Sequence, residues 1–517
     1  MNLNISHRLK KHPTTILAIV NIAFIAIVVL LLPFQFESCD DRLMAWTTSG
    51  YITRTPDFHT LYMNVIYSWV ESRLYMILPD IEWHTWLLLL IHLVSFTAIT
   101  RCILDTNQRK GAKVSLILLL YLIETYLITN LQFTTTAGLA ATAGILLIVQ
   151  RKGYCFGFIL FLLGSLIRFH SAMFCGVMAA ALYPLVLLRQ GFEKKKLLLF
   201  MICALGALGF QWFNSYAYSI DPKWNELLEY DKLRGRVHDS PDFWRVYNNP
   251  PKGMTRADFD NWVGTIDYRD VMTTEMLESC LEEIERETTS DGISGLKKIK
   301  NIPYSLLSLW PWFLILGILI GGCLLNCNNS KERWSLVLGS FILPLSIAVI
   351  VLNTRMAERA FLCGWLPLIL VPACLVELKK KKTSIFPILA LVATIAFFAW
   401  KKTPSIHDNP STSYHQKQEL VNCGEKNGAN CFVLDFYSTI DEYPFGLRYH
   451  FKSKDVVIRH LRSTSDDMVD NKQCMFLLNR TMGDELADQL THNEHKNIKP
   501  QEICGNDTYS LFRLVSE

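Results

Sequence analysis

Apolar runs of membrane length alternate with short polar segments from near the start of the chain to about residue 400. The first run, 14–34, follows Arg8, Lys10 and Lys11. It is longer than a signal-peptide core and no A-x-A cleavage pattern follows it, so it reads as an uncleaved first transmembrane helix. Comparable runs lie at 85–104, 114–133, 134–150, 154–168, 171–188, 197–218, 304–327, 335–353, 361–378 and 384–400. At about 20 apolar residues per crossing, these give about eleven spans. The pattern predicts a mainly α, polytopic transmembrane helical bundle over 1–400.

Basic residues fix the orientation expected of that bundle. Lysines and arginines within 8–11, 101–113, 151–152, 189–196, 331–333 and 379–382 fall in alternate loops. Placing those loops in the cytoplasm puts 35–84, 219–303 and everything after Lys401 outside. Arg355 and Arg359, in "NTRMAERAF", break the rule, because they sit in an outer turn.

The outside segments differ in pattern. Within 35–84, "LYMNVIYSWVESRLYMILPDIEW" is amphipathic and rich in Tyr and Trp, which predicts a helix lying in the membrane interface. Residues 219–303 are polar, with a turn at "NNPPKG" and an acidic helical run near 275–287. Residues 401–517 alternate short apolar runs ("CFVLDF", "DVVIRHL", "QCMFLLN", "YSLFRLV") with helical stretches such as "GDELADQLTHN". That alternation predicts a small soluble α/β domain of about 110 residues, enough to build its own core.

Composition supports the membrane assignment. The 517 residues are 50% hydrophobic and 19% charged, with a mean hydropathy of +0.21. Soluble domains carry about a quarter charged residues. A net charge of +4 with no basic face excludes nucleic acid as an expected partner. Of the 14 cysteines, Cys423, Cys431, Cys474 and Cys504 fall in the terminal domain, where three pairings are open. No CxxC-type spacing suggests zinc, and no repeat or low-complexity segment stands out.

Candidate chemistry clusters at the predicted outer surface. "ESCDDRLMAWTTSGY" places Asp40 and Asp41 a few residues beyond the first span. A sugar carried on a lipid phosphate keeps its anomeric carbon near the headgroup plane, and a short carboxylate held at that depth could deprotonate an attacking hydroxyl. The same residues could equally open a short helix and cap its free N–H groups. A departing phosphate needs cations. Arg168 and His170 in "SLIRFHSAM", with Arg355 and Arg359, are the candidates, since charges at that depth are costly. Arg42, Arg54, Asp57, His59 and Arg73 in the first loop are polar groups near the same plane. Arg234, Arg236 and His238, in "LRGRVHDSPDFW", are suited to a sugar or a diphosphate. Of these, Arg42, His59, Arg234, Arg236 and His238 are the candidate acceptor or sugar contacts. His92 and Glu124, inside spans, read as interhelical polar contacts.

One span, then an outside loop opening on an acid pair and an interfacial helix, then a many-span core and a soluble terminal domain, resembles the GT-C superfamily of integral-membrane glycosyltransferases. The segment beginning "DDRLMAWTTSGYITRTPDFHT" and the stretch "GMTRADFDNWVGTIDYRDVMTTEML" resemble a group of bacterial polysaccharide-locus membrane proteins. The resemblance implies a polyprenyl-phosphate-linked sugar donor and a glycan or lipid-linked acceptor. It also implies inversion at the anomeric carbon, no metal or other cofactor, and a base carried by Asp40 or Asp41. The setting would be the outer face of a bacterial plasma membrane. Two other readings stay open: a polysaccharide polymerase or O-antigen-ligase-like enzyme using the large-loop Arg and His, and a transporter without chemistry.

Overall fold

The computed structural model describes residues 13–51, 55–240, 242–256, 259, 272–290, 302–303, 305–354, 356–378, 385–400, 410–434, 443–446, 457–460, 471–479, 498–506 and 508–516. "GDELADQLTHN", Arg54 and much of the large-loop stretch quoted above lie outside them.

Helices occupy every segment expected to span. They are α1 (Pro13–Leu31), α4 (Trp83–Leu104), α5 (Lys110–Thr129), α6 (Phe133–Val149), α7 (Tyr154–Ile167), α8 (Phe169–Ala181), α9 (Tyr183–Gln190), α10 (Lys194–Ile220), α14 (Trp310–Leu324), α15 (Ser330–Asn353), α16 (Glu358–Leu375) and α17 (Phe386–Trp400). Outside them lie α2 (Cys39–Ser49), α3 (Val65–Ile77), α11 (Pro222–His238), α12 (Phe243–Asn248), α13 (Thr274–Ser290) and α18 (Pro410–Lys426). Among the described residues, six helices are long and apolar enough to cross a membrane: those at Thr14–Leu31, Trp83–Leu104, Lys110–Thr129, Lys194–Ile220, Ser330–Leu352 and Glu358–Leu375. The run expected to be one span at 171–188 is instead the pair α8–α9, bent by 48°. Pro184, in the first turn of α9, lacks the N–H that would continue α8.

The centre of the bundle is α6, every residue of which is buried. Its sequence, FTTTAGLAATAGILLIV, has no charge and many small side chains, which lets neighbouring backbones approach. A methyl group on Gly144 would stand 2.5 Å from the Gly157 carbonyl of α7, so that crossing requires glycine. Polar groups stitch the spans around it. His92 Nδ1 lies 2.8 Å from Glu124 Oε1, and its Nε2 lies 2.9 Å from Thr136 Oγ1. Asn21 of α1 donates to Thr97 Oγ1 (2.9 Å) and accepts from Tyr121 (2.6 Å).

Two short parallel strands, β1 (Gln35–Phe36) and β2 (Asn130–Leu131), tie the exit of α1 to the N-terminus of α6. They set the position of α2. The expected interfacial helix is α3, capped by Asn64, whose Oδ1 accepts the Ile66 N–H at 3.0 Å. Trp69, Val70, Met76 and Ile77 are exposed, whereas Ser68, Glu71 and Ser72 are buried. Four exposed apolar side chains beside buried Ser68, Glu71 and Ser72 suit a helix bordered by hydrocarbon along one face, with Arg73 exposed among them.

The chain ends in a five-stranded sheet of order β4-β3-β5-β7-β6, made of β3 (Cys431–Leu434), β4 (Val457–His460), β5 (Cys474–Asn479), β6 (Ile498–Gly505) and β7 (Tyr509–Ser516). β4, β3 and β5 are parallel, and β7 runs antiparallel to both β5 and β6. The apolar runs noted in the sequence became β3, β4, β5 and β7. The more polar β6 carried no such signal. A Cys423–Cys504 disulfide joins α18 to β6. The Phe445 ring packs on Phe34 (5.5 Å) and Trp86 (5.2 Å), near the exit of α1 and the start of α4.

Candidate functional site

Asp40 and Asp41 both lie in the first turn of α2. Consecutive helical residues point about 100° apart, and here that rotation separates their roles. Asp41 turns inward and is fully buried. Its Oδ1 accepts the Phe133 N–H at the start of α6 (2.9 Å) and lies 3.3 Å from His84 Nε2. The other ring nitrogen, Nδ1, lies 3.1 Å from Glu71 Oε1, which also accepts from Thr48 Oγ1 at 2.8 Å. A ring facing carboxylates with both nitrogens satisfies both hydrogen bonds only when the cluster holds one proton beyond the neutral ring. Burial pushes the Asp41 carboxyl up to about 6, even though the hydrogen bond and charge of His84 and the Phe133 N–H pull it down. Asp41 therefore fastens α2 to α3, α4 and the positive end of the α6 dipole.

Asp40 faces the other way, with its side chain 28% exposed. Its Oδ2 accepts from Ser38 Oγ at 3.3 Å and lies 3.5 Å from Arg359 Nη2. Arg168 is within electrostatic reach of Asp40 and Arg359. The guanidinium of Arg168 donates to the Tyr62 carbonyl (3.1 Å) and packs against the Tyr62 and Phe133 rings, 5.5 and 5.4 Å away. Arg234, on α11, reaches the same place. It donates to Tyr62 Oη at 3.1 Å and to Asp231 at 2.8 Å.

The loop between α2 and α3 is strained where it meets these cations. Leu61 has φ 61°, and the Tyr62 N–H donates to the Thr60 carbonyl at 2.7 Å, which makes a γ-turn of the rare positive-φ form. Tyr218 Oη, from α10, holds it by accepting the Leu61 N–H at 2.7 Å. Next to it, His59 stacks on Trp224 (5.2 Å) and pairs through Nδ1 with Asp57 (2.7 Å). Burial alone would raise Asp57, but hydrogen bonds from His59 and Trp224 hold its carboxyl below the usual range. A cavity of about 530 Å³ opens beside this loop, lined by Phe58, His59, Val65, Ile66 and Trp69 with Phe213 of α10.

The structure thus brings Asp40, Arg168, Arg359 and Arg234 together and places His59 one loop away. The other candidates lie elsewhere. Arg42 is buried in α2 with its guanidinium 5.6 Å from the Trp46 ring. His170 is exposed on α8, edge-on to Phe169. Arg236 pairs with Glu285 of α13 at 3.1 Å, and His238 with Asp239 at 3.2 Å. Arg355 lies outside the described residues. Glu358, the neighbour of Arg359, accepts hydrogen bonds from Tyr126 (3.0 Å) and Trp312 (2.8 Å), which anchors the start of α16. His84, Glu71, Tyr62 and Tyr218 escaped the sequence reading. The available signal was a polar residue on a face that packing later buried. Among the described residues, no cluster of three or more His, Cys, Asp or Glu side chains could hold a metal ion.

No protein-family model matches the chain, and no curated protein matches it. A crystal structure of ArnT from Cupriavidus metallidurans bound to undecaprenyl phosphate aligns with 96% of this chain and 97% of its own, at 10% identity and a TM-score of 0.41. Agreement that loose carries neither a residue role nor a ligand across to this chain.

Proposed function

We propose that the chain is a membrane glycosyltransferase that moves a sugar from a polyprenyl-phosphate-linked donor to a glycan or lipid-linked acceptor, with inversion, at the outer membrane surface. Asp40 is the general base. The observation that carries this proposal is the division of the acid pair: one carboxylate is buried in a hydrogen-bonded cluster, and the other is open and faces arginines.

In the reaction the acceptor hydroxyl attacks the anomeric carbon opposite the phosphate, and Asp40 takes its proton. The carbon–oxygen bond to the phosphate breaks, and its electron pair leaves on the lipid phosphate. Arg359 and Arg168 oppose the charge that develops there, which is where fixed cations lower a barrier most. The donor's hydrocarbon chain would leave along the exposed apolar side chains of α3 and α10, beside the cavity near His59. Orientation with the terminal sheet outside is supported by the alternation of basic loops and by the Cys423–Cys504 disulfide, since such bonds persist in oxidising compartments.

The ligase-like alternative draws support from Arg234, which reaches Tyr62, but less from Arg236 and His238, which are paired with Glu285 and Asp239. Membranes containing the protein, supplied with a polyprenyl-phosphate sugar and a glycan acceptor, should yield a product of inverted anomeric configuration. Retained configuration, or transfer only from nucleotide sugars, would overturn the proposal.

A further inference from the structure

Cys431 and Cys474 open the neighbouring parallel strands β3 and β5 and are partners in register. Their sulfur atoms stand 3.2 Å apart. Cys474 is buried and Cys431 is half-buried. Just before them, Asn430 and Gln473 are exposed and bridged, with Asn430 Nδ2 2.9 Å from Gln473 Oε1, so this end of the strand pair opens to solvent.

We propose that Cys431 and Cys474 form a reversible dithiol–disulfide site, distinct from the Cys423–Cys504 bond in the same unit. A disulfide needs Cα atoms roughly 4.4–6.8 Å apart, and neighbouring strands hold theirs about 4.7–4.9 Å apart. The pair meets that requirement near its lower limit. The ladder fixes both backbones, so the side chains alone must rotate to close the bond. The bond would close at a strand end that opens to solvent, within reach of a small thiol or disulfide. Cys423 and Cys504 join a helix to a strand across a Cα separation of 6.6 Å, with no ladder between them.

The oxidant is a small-molecule or protein disulfide. The thiolate of Cys431, the more accessible sulfur, attacks one sulfur of that disulfide and expels the other as a thiol. Cys474 then displaces the remaining half. Two protons and two electrons leave the cysteine pair, one new S–S bond forms, and two thiols of the oxidant are released. Closing the bond ties together the two ends of the segment that carries β4, the strand at the sheet edge next to β3.

The test uses the purified full-length protein in stepped glutathione/glutathione-disulfide buffers, with acid quench, alkylation and non-reducing peptide mapping. It requires neither transfer activity nor membrane orientation, so it stands or falls apart from the proposed function. The expected result is a Cys431–Cys474-linked peptide that appears as glutathione disulfide rises. It should disappear again as reduced glutathione is raised. In Cys474→Ser, Cys431 should instead accumulate as a mixed disulfide with glutathione. The proposal is overturned if both cysteines are alkylated throughout the series. It is equally overturned if their link persists at the most reducing ratio of the series, or if they pair with other cysteines.

Discussion

Arg359 Nη2 stands 3.5 Å from Asp40 Oδ2, so the start of α16 meets the start of α2 across one end of the bundle. A partly exposed ion pair at that distance contributes about 0–1 kcal/mol to stability. Both residues can therefore be changed with little cost to the fold, and losses of activity at either position report on chemistry.

Arg359→Gln is expected to keep the wild-type melting temperature while transfer falls about 100- to 1,000-fold, the usual cost of removing one group that opposes a developing anion. Arg168→Gln should lose activity and also stability, because Arg168 holds the Tyr62 carbonyl as well. Paired assays of turnover and thermal unfolding separate the two outcomes.

His84 bridges the Asp41 and Glu71 carboxylates through its two ring nitrogens. Its removal in His84→Ala leaves two buried acids with no cation between them, and breaking buried pairs of this kind costs about 3–5 kcal/mol. The variant should unfold at markedly lower temperature in detergent. An unchanged melting temperature would show that α2 is held in place by other contacts.

Tyr218→Phe removes the acceptor of the Leu61 N–H at the strained turn. An orphaned buried donor costs about 1–3 kcal/mol, and the turn can then relax away from Arg168. The expected signature is a raised KM for the lipid donor and faster amide exchange over 59–62, with α2 unaffected.

The pH dependence of stability isolates Asp41. An unfolded aspartate titrates near 3.9, and the folded one near 6. The native state binds this proton more tightly, so the contribution of Asp41 is full below about pH 4 and is lost as pH rises through about 6. Asp41→Asn carries no such titration. Its melting temperature relative to wild type should climb between about pH 4 and 6 and level off above.

The bundle was legible in the sequence because membrane-length apolar runs leave a signal that local packing cannot erase, and every expected run is helical. The break between α8 and α9 was hidden, since Leu182, Tyr183 and Pro184 keep the run apolar. The candidate site was half legible. An acid pair after a span and arginines at outer turns carry their own signal, so Asp40, Arg168 and Arg359 were candidates. Which acid faces outward depends on the rotation of a short helix against three others, and composition does not encode that. His84 and Glu71 gain their roles only from burial, and Arg234 differs from Arg236 only in the face of α11 it occupies.

The central claim is that Asp40 takes the proton while Asp41 holds the helix that presents it. The direct measurement is single-turnover sugar transfer from a lipid-phosphate donor by Asp40→Asn and Asp41→Asn, with donor binding measured on the same preparations. The account predicts a loss of about 100- to 10,000-fold for Asp40→Asn with donor binding retained, and a much smaller loss for folded Asp41→Asn. Wild-type transfer by Asp40→Asn, or complete loss in a well-folded Asp41→Asn alone, would contradict it.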